Sequence, residues 1–220
     1  MFKARMLFEK QGQARFISHL DEMRALQRAL ARAGLPVWYT EGFNPHAYVS
    51  IALPLATGFS SECEIMDLQF TGDGIPQNAK ERLQAVLPEG FTVRSFYPQG
   101  APVRLIHHAQ YRIAWEYDRG VPAGAPEKVR RLLAQPDIPI LKKSKRREET
   151  VNLQDYVLDT AVWEQGPEIM VVDAKLRAGN VNLSPEYISR VLVAQQPELA
   201  FDGVRYHRME IFQENGKIFR

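Results

Sequence analysis

Along this chain the spacing of apolar residues switches repeatedly between the period of a strand and that of a helix. Residues 2–9 (FKARMLFE) alternate loosely and run into Gln11-Gly12-Gln13, the pattern of a strand followed by a turn. The spacing then lengthens to three and four. Leu20, Met23, Leu26, Leu30 and Ala33 fall on one side of a helix that Ser18 opens and Gly34 and Pro36 close. Asp21 lies three residues past that cap, where a carboxylate reaches back to the cap and complements the positive end of the helix dipole. Residues 37–40 and 48–54 read as extended segments flanking the turn-rich stretch Glu41 to His46. Residues 62–70 alternate as a strand, with Met66-Asp67 interrupting it as a bulge. A helix over 76–87 turns Ala79, Leu83, Val86 and Leu87 inward, and a strand over 91–97 follows.

Gln99-Gly100-Ala101-Pro102 breaks the pattern, after which the same succession begins again. Residues 110–117 read as a strand with Tyr111, Ile113, Trp115 and Tyr117 on one face, and 126–134 as a short helix. Residues 138–141 and 150–160 are extended, and 168–176 is a strand. A helix over 184–193 is capped by Ser184 with Pro185 at its first position, and 206–213 is the last strand. Two successive βαββαβ orders predict an α+β protein of two tandem ferredoxin-like modules with antiparallel sheets, over residues 1–100 and 101–220.

Hydrophobic residues make up 45% of the 220 positions and charged residues 25%, a globular balance that excludes a disordered chain. No apolar run approaches the ~20 residues that span a bilayer. The opening MFKARMLFEK carries charge where an export signal needs an apolar stretch. A soluble cytoplasmic protein is expected. The single Cys63 excludes an internal disulfide and any cysteine-only metal centre, and its place in an alternating strand marks it as a small buried hydrophobe.

Net charge is only +2, but it is unevenly spread. Residues 104–147 hold eleven basic and four acidic side chains, whereas residues 148–220 hold seven basic and twelve acidic. Such asymmetry predicts a basic surface patch. Lys142, Lys143, Lys145, Arg146 and Arg147 concentrate five cations between two extended segments, a phosphate-seeking arm. Arg24, Arg28 and Arg32 are spaced by four and share a helix face, a second row of fixed charge. Tyr111, Trp115 and Tyr117 would stack bases if their face were open, and would be core otherwise.

The densest polar cluster surrounds the first helix: Arg15, His19, Asp21 and Arg24 at its start, and Gly42, Asn44 and His46 in the following loop. Gly, Asn, Pro and His together in one loop point to function, although Asn44-Pro45 also starts a turn without it. His19, His46, His107, His108 and Asp21 match no spacing of a metal site, and the sequence contains no P-loop, dinucleotide turn or nucleophile elbow. No metal and no cofactor is expected.

Arg15-Phe16-Ile17-Ser18-His19-Leu20-Asp21-Glu22-Met23-Arg24, Arg28-Ala29-Leu30, Ala33-Gly34-Leu35-Pro36 and Glu41-Gly42-Phe43-Asn44-Pro45-His46 resemble a family of uncharacterised bacterial proteins associated with, or linked to, radical SAM proteins. The blocks Lys142-Lys143-Ser144-Lys145-Arg146, Val151-Asn152-Leu153 and Asn182-Leu183-Ser184-Pro185-Glu186 carry the resemblance over nearly the whole chain. It implies a radical SAM protein as partner. The cysteine triplet that would hold an iron–sulfur cluster is lacking, so this chain is not itself the radical enzyme. Where that family continues Pro-His with proline and a basic residue, Ala47 and Tyr48 stand here, so phosphate binding by the loop itself is not implied.

Three functions compete. The first is a non-enzymatic RNA-binding accessory to a radical SAM enzyme, with Arg15, Arg24, Arg28, Arg32 and the cations at 142–147 as the contacts. The second is an RNA-cleaving or RNA-modifying enzyme with His19 or His46 as general acid or base and Arg15 or Arg24 stabilising the phosphate. The third is a protein–protein adaptor that docks the radical SAM subunit through the Gly-Phe-Asn-Pro-His loop.

Overall fold

Strand and helix periods resolve into a mixed α+β chain with antiparallel sheets in a computed structural model that describes residues 1–143 and 148–220. The chain forms two compact units, Met1–Leu105 together with Ile218–Arg220, and Ile106–Lys217.

In the first unit, β1 (Phe2–Lys10) leads to α1 (His19–Arg32), β2 (Val49–Ala52), β3 (Phe59–Phe70), α2 (Ala79–Gln84) and β4 (Phe91–Pro98). The strands lie in the order β4-β1-β3-β2, all antiparallel. Ala4, Met6 and Phe8 alternate onto one face of β1 and meet Leu26, Ala29 and Leu30 of α1 and Leu83 of α2. Burying each of the larger side chains stabilises by about 1.5–3 kcal/mol, which is what holds both helices on that face. The intervening positions face the other way. There Arg5, fully buried, makes a two-pronged pair with Asp67 (2.6 and 3.0 Å) and donates to the Ala101 carbonyl at 2.9 Å. Its guanidinium lies 4.8 Å from the ring centre of Phe219, itself fully buried.

Three details depart from the sequence reading. Leu20, expected inward on α1, is 65% exposed, and Glu22 is buried in its stead. Lys10 at the end of β1 brings this about: its ammonium lies 2.7 Å from Glu22, both side chains essentially without solvent. The bulge expected at Met66-Asp67 is absent, because Asp67 is paired across the sheet with Arg5; the register shifts on β1 near Phe8 and Lys10. The second helix is also shorter than expected, opening at Asn78 in a left-handed conformation rather than at Pro76.

The second unit contains β5 (Ile106–Glu116), α3 (Ala125–Leu133), β6 (Pro139–Lys143), β7 (Glu148–Asn152), β8 (Val157–Glu164), β9 (Ile169–Arg177), α4 (Glu186–Gln195) and β10 (Gly203–Gln213). Its strands run β10-β5-β9-β8, again antiparallel, and β6–β7 form a separate hairpin. The extended run expected over 150–160 is two strands, broken by a turn at Leu153–Asp155 that Asn152 caps by accepting from the Gln154 amide. Tyr111, Trp115 and Tyr117 are 6%, 0% and 4% exposed. They are core and form no open stacking surface: Trp115 donates to Ser189 of α4 at 2.8 Å, and Tyr117 to the Leu199 carbonyl at 3.0 Å. Among the described residues no helix is long and apolar enough to cross a membrane.

Candidate nucleic-acid interface

At the start of α1, Ser18 accepts from the Asp21 amide (3.2 Å) while its hydroxyl donates to the Asp21 carboxylate (2.8 Å), as the capping pattern predicts. Asp21 in turn holds Arg24 at 3.3 Å, both exposed. Arg15 and His19 are half-buried; Arg15 Nε and His19 Nδ1 are shut off from solvent without a hydrogen-bond partner among the described residues. The Arg15 guanidinium lies 4.5 Å from the Phe16 ring centre, and its carbonyl accepts from Gly58.

The Gly-Phe-Asn-Pro-His segment occupies the tip of a hairpin that leaves the edge of the sheet. Trp38 donates to the Gln69 carbonyl and Val49 pairs with Leu68, so residues 39–48 leave β3 and return to it one position further on. Tyr39 pairs with Ala47, and Thr40 donates its amide to the His46 carbonyl. His46 Nδ1 stands 3.0 Å from the Asn44 carbonyl and 3.2 Å from the Thr40 hydroxyl, closing the tip, with Gly42 at φ +129 within it. Gln27 of α1 donates to the Ala47 carbonyl at 3.1 Å and ties hairpin to helix. Phe43, at the tip, is wholly in solvent. Phe16 and Leu20 are exposed at the start of α1, and Tyr39 and Tyr48 along the hairpin.

Asp21 thus belongs to one network with Ser18 and Arg24, which His19 does not join, and Asn44 and His46 belong to another. Among the described residues no hydrogen bond joins the two. Of the arginine row, Arg24 pairs with Asp21 and Arg32 donates to the Val86 carbonyl at 2.8 Å. Arg28 is exposed and enters no ion pair or hydrogen bond among the described residues. In the second unit, Lys142 sits 4.4 Å from the Tyr156 ring centre, and Lys143 pairs with Glu148 at 2.9 Å. Lys145, Arg146 and Arg147 lie outside the described residues.

Two features escaped the sequence reading. On the sheet face turned away from α4, Arg112 lies over Trp163 (5.3 Å) and pairs with Asp173, while Lys175 lies over Phe212 (4.5 Å). His108 stacks on Phe212 at 5.1 Å on that face. The alternation of β5 carried the signal, since Gln110, Arg112, Ala114 and Glu116 interleave the core aromatics. The second feature is a cleft of about 500 Å³ beside α4, lined by Glu186, Ser189, Arg190, Phe201 and Tyr206 among others. Its lining comes from one stretch, residues 186–206, and only the packing of α4 against β10 turns that stretch into a cleft.

A family described as uncharacterised proteins conserved in bacteria (DUF2344) matches residues 3–185. The chain belongs to that family. No curated protein matches it. Among solved structures, it is similar to a chain of the archaeal box H/ACA sRNP Nop10-Cbf5 complex, with 12% identity and a TM-score of 0.47 over 93% of this chain and 46% of that one. A chain of a Cbf5-Nop10-Gar1 complex gives 13% identity and a TM-score of 0.49 over 96% and 50%. A protein of Galdieria sulphuraria gives 12% identity and a TM-score of 0.28 over 94% and 98%. The chain spans about half the length of the first two. Similarity this distant assigns neither partner nor activity to the DUF2344 chain.

Proposed function

We propose that this DUF2344 protein is a non-enzymatic RNA-binding accessory that works beside a radical SAM enzyme. The observation that carries RNA binding is the hairpin of residues 39–48, which holds Phe43 wholly in water beside a helix bearing exposed Arg24 and Arg28. An aromatic ring kept out of the core by a closed, hydrogen-bonded tip supplies a stacking surface for an unpaired base. Neighbouring guanidinium groups supply the phosphate contacts that such stacking needs. Lys142 and Lys143, on the edge of the basic run, add positive charge in the second unit. The radical SAM partner rests on the sequence blocks around His19 and His46. A tandem ferredoxin-like reading of the two units accompanies the proposal, supported by the antiparallel order in which the fourth, first, third and second main strands of each unit lie side by side.

Fluorescence anisotropy with single-stranded RNA at two salt concentrations tests this reading. Binding should weaken as salt rises, and Arg28→Ala should lower the salt slope by about one. Phe43→Ala should weaken binding by roughly tenfold, in line with about 1–3 kcal/mol for one stacked base. Failure to detect salt-sensitive binding sinks the proposal. RNA recovered intact from the complex supports an accessory role, whereas turnover that disappears in His19→Ala supports the enzymatic alternative. The exposure of Phe16, Leu20 and Phe43 favours the adaptor as a second reading. Co-purification of a radical SAM protein that survives nuclease and high salt would support it.

A further inference from the structure

The cleft beside α4 faces none of the residues assigned above to RNA, yet its chemistry is that of a selective pocket. Its volume of about 500 Å³ falls within the ~300–1,000 Å³ of small-ligand sites. Phe201 lines it with one face stacked on Trp115, ring centres 5.8 Å apart and nearly parallel. Ser189, only 3% exposed, accepts from Trp115 at 2.8 Å and from Tyr206 at 2.9 Å. Its own hydroxyl proton is the donor those two bonds leave over. Glu186 uses one carboxylate oxygen to hold Arg190 at 3.2 Å; the other remains as an acceptor at the wall. Across α4, a second cleft of about 320 Å³ shares Arg190 and Ala194 with the first and adds Lys143 of the β6–β7 hairpin.

We propose that the cleft between α4 and β10 receives a single unpaired, amino-bearing nucleobase of the bound RNA, an inference that rests on the RNA-binding reading. The planar base lies along Phe201, its exocyclic amine donates to Glu186, and its ring carbonyl or ring nitrogen accepts from Ser189. Arg190, which lines both clefts, and Lys143, which lines the second, carry the adjoining phosphates. A carboxylate facing an exocyclic amine discriminates between cytosine and uracil, which present a donor and an acceptor at the same ring position.

Anisotropy with labelled oligocytidylate and oligouridylate of equal length, on the full chain at fixed salt, reads this directly. Wild-type protein should bind the cytidine oligomer about tenfold more tightly. Glu186→Gln, a change at a solvent-facing ion pair, should reduce that ratio to about twofold or less while leaving the salt slope unchanged. Val193→Trp, which fills the cleft from a partly exposed wall position, should bring cytidine binding down to the uridine level. Equal binding of the two oligomers by wild type, or a ratio that Glu186→Gln leaves intact, overturns the pocket while salt-sensitive RNA binding persists. Lack of salt-sensitive binding to either oligomer overturns the RNA reading and the pocket together.

Discussion

Lys10 and Glu22 show what one pair of charges costs and fixes. Two ions taken out of water are tolerated only because each meets the other, here at 2.7 Å with almost no solvent on either side chain. Lys10→Met should therefore destabilise the first unit by about 3–5 kcal/mol in urea unfolding. Replacing Glu22 by Leu in the same chain should restore most of that, because the apolar pair has no stranded charge. His108 gives a second residue-scale prediction. Burial, then the positive charges of Lys175 and His107, push its pKa down to about 4 from 6.5. The unfolded chain consequently takes up this proton first as pH falls, so stability is full above about pH 6.5 and is lost as pH drops toward 4. Unfolding titrations across that window should show the slope, and His108→Gln should flatten it.

At the scale of elements, α1 is defined by both its ends. Ser18 caps the first turn through the Asp21 amide, and Arg82 closes the last by donating to the Ala33 and Gly34 carbonyls at 2.6–3.2 Å. Ser18→Ala should cost about 1 kcal/mol, measured by chemical denaturation, and should free Asp21 from its hydroxyl partner. The N-terminal cap is local and was visible in the sequence. The C-terminal one comes from α2, nearly fifty residues on, and no spacing rule could foresee it. The hairpin of residues 39–48 behaves likewise. Its turn residues were legible at Glu41 to His46, but its departure from the sheet edge is decided by which residues of β3 pair with Trp38 and Val49.

For the whole chain, the C-terminal tripeptide matters beyond its length. Ile218–Arg220 belongs to the first unit, where Phe219 is fully buried beside Arg5 and the Arg220 carbonyl accepts from Ala101. Phe219→Ala should cost about 3–5 kcal/mol, the range for emptying a buried aromatic site. Hydrogen exchange should place the loss on β1 and β3 in the first unit, with α3, α4 and β8 of the second retaining their protection. Uniform loss across both sets of elements would refute that assignment.

What the sequence alone determined were the features set by periodicity and local backbone chemistry. It defined most of the succession of strands and helices, the α+β class, the Ser18 cap and the buried Cys63, while the alternation that put Tyr111, Trp115 and Tyr117 on one face left that face open between core and stacking surface. Those outcomes depend on neighbours within a few positions, where side-chain direction follows directly from strand or helix geometry. Tertiary structure decided where distant groups meet: Lys10 drawing Glu22 inward in place of Leu20, Asp67 held straight in its strand by Arg5, and Trp115 reaching the Ser189 hydroxyl. In each case a charge or hydroxyl leaving water needs a partner, and the partner is supplied by the packing of whole elements, which no local pattern encodes.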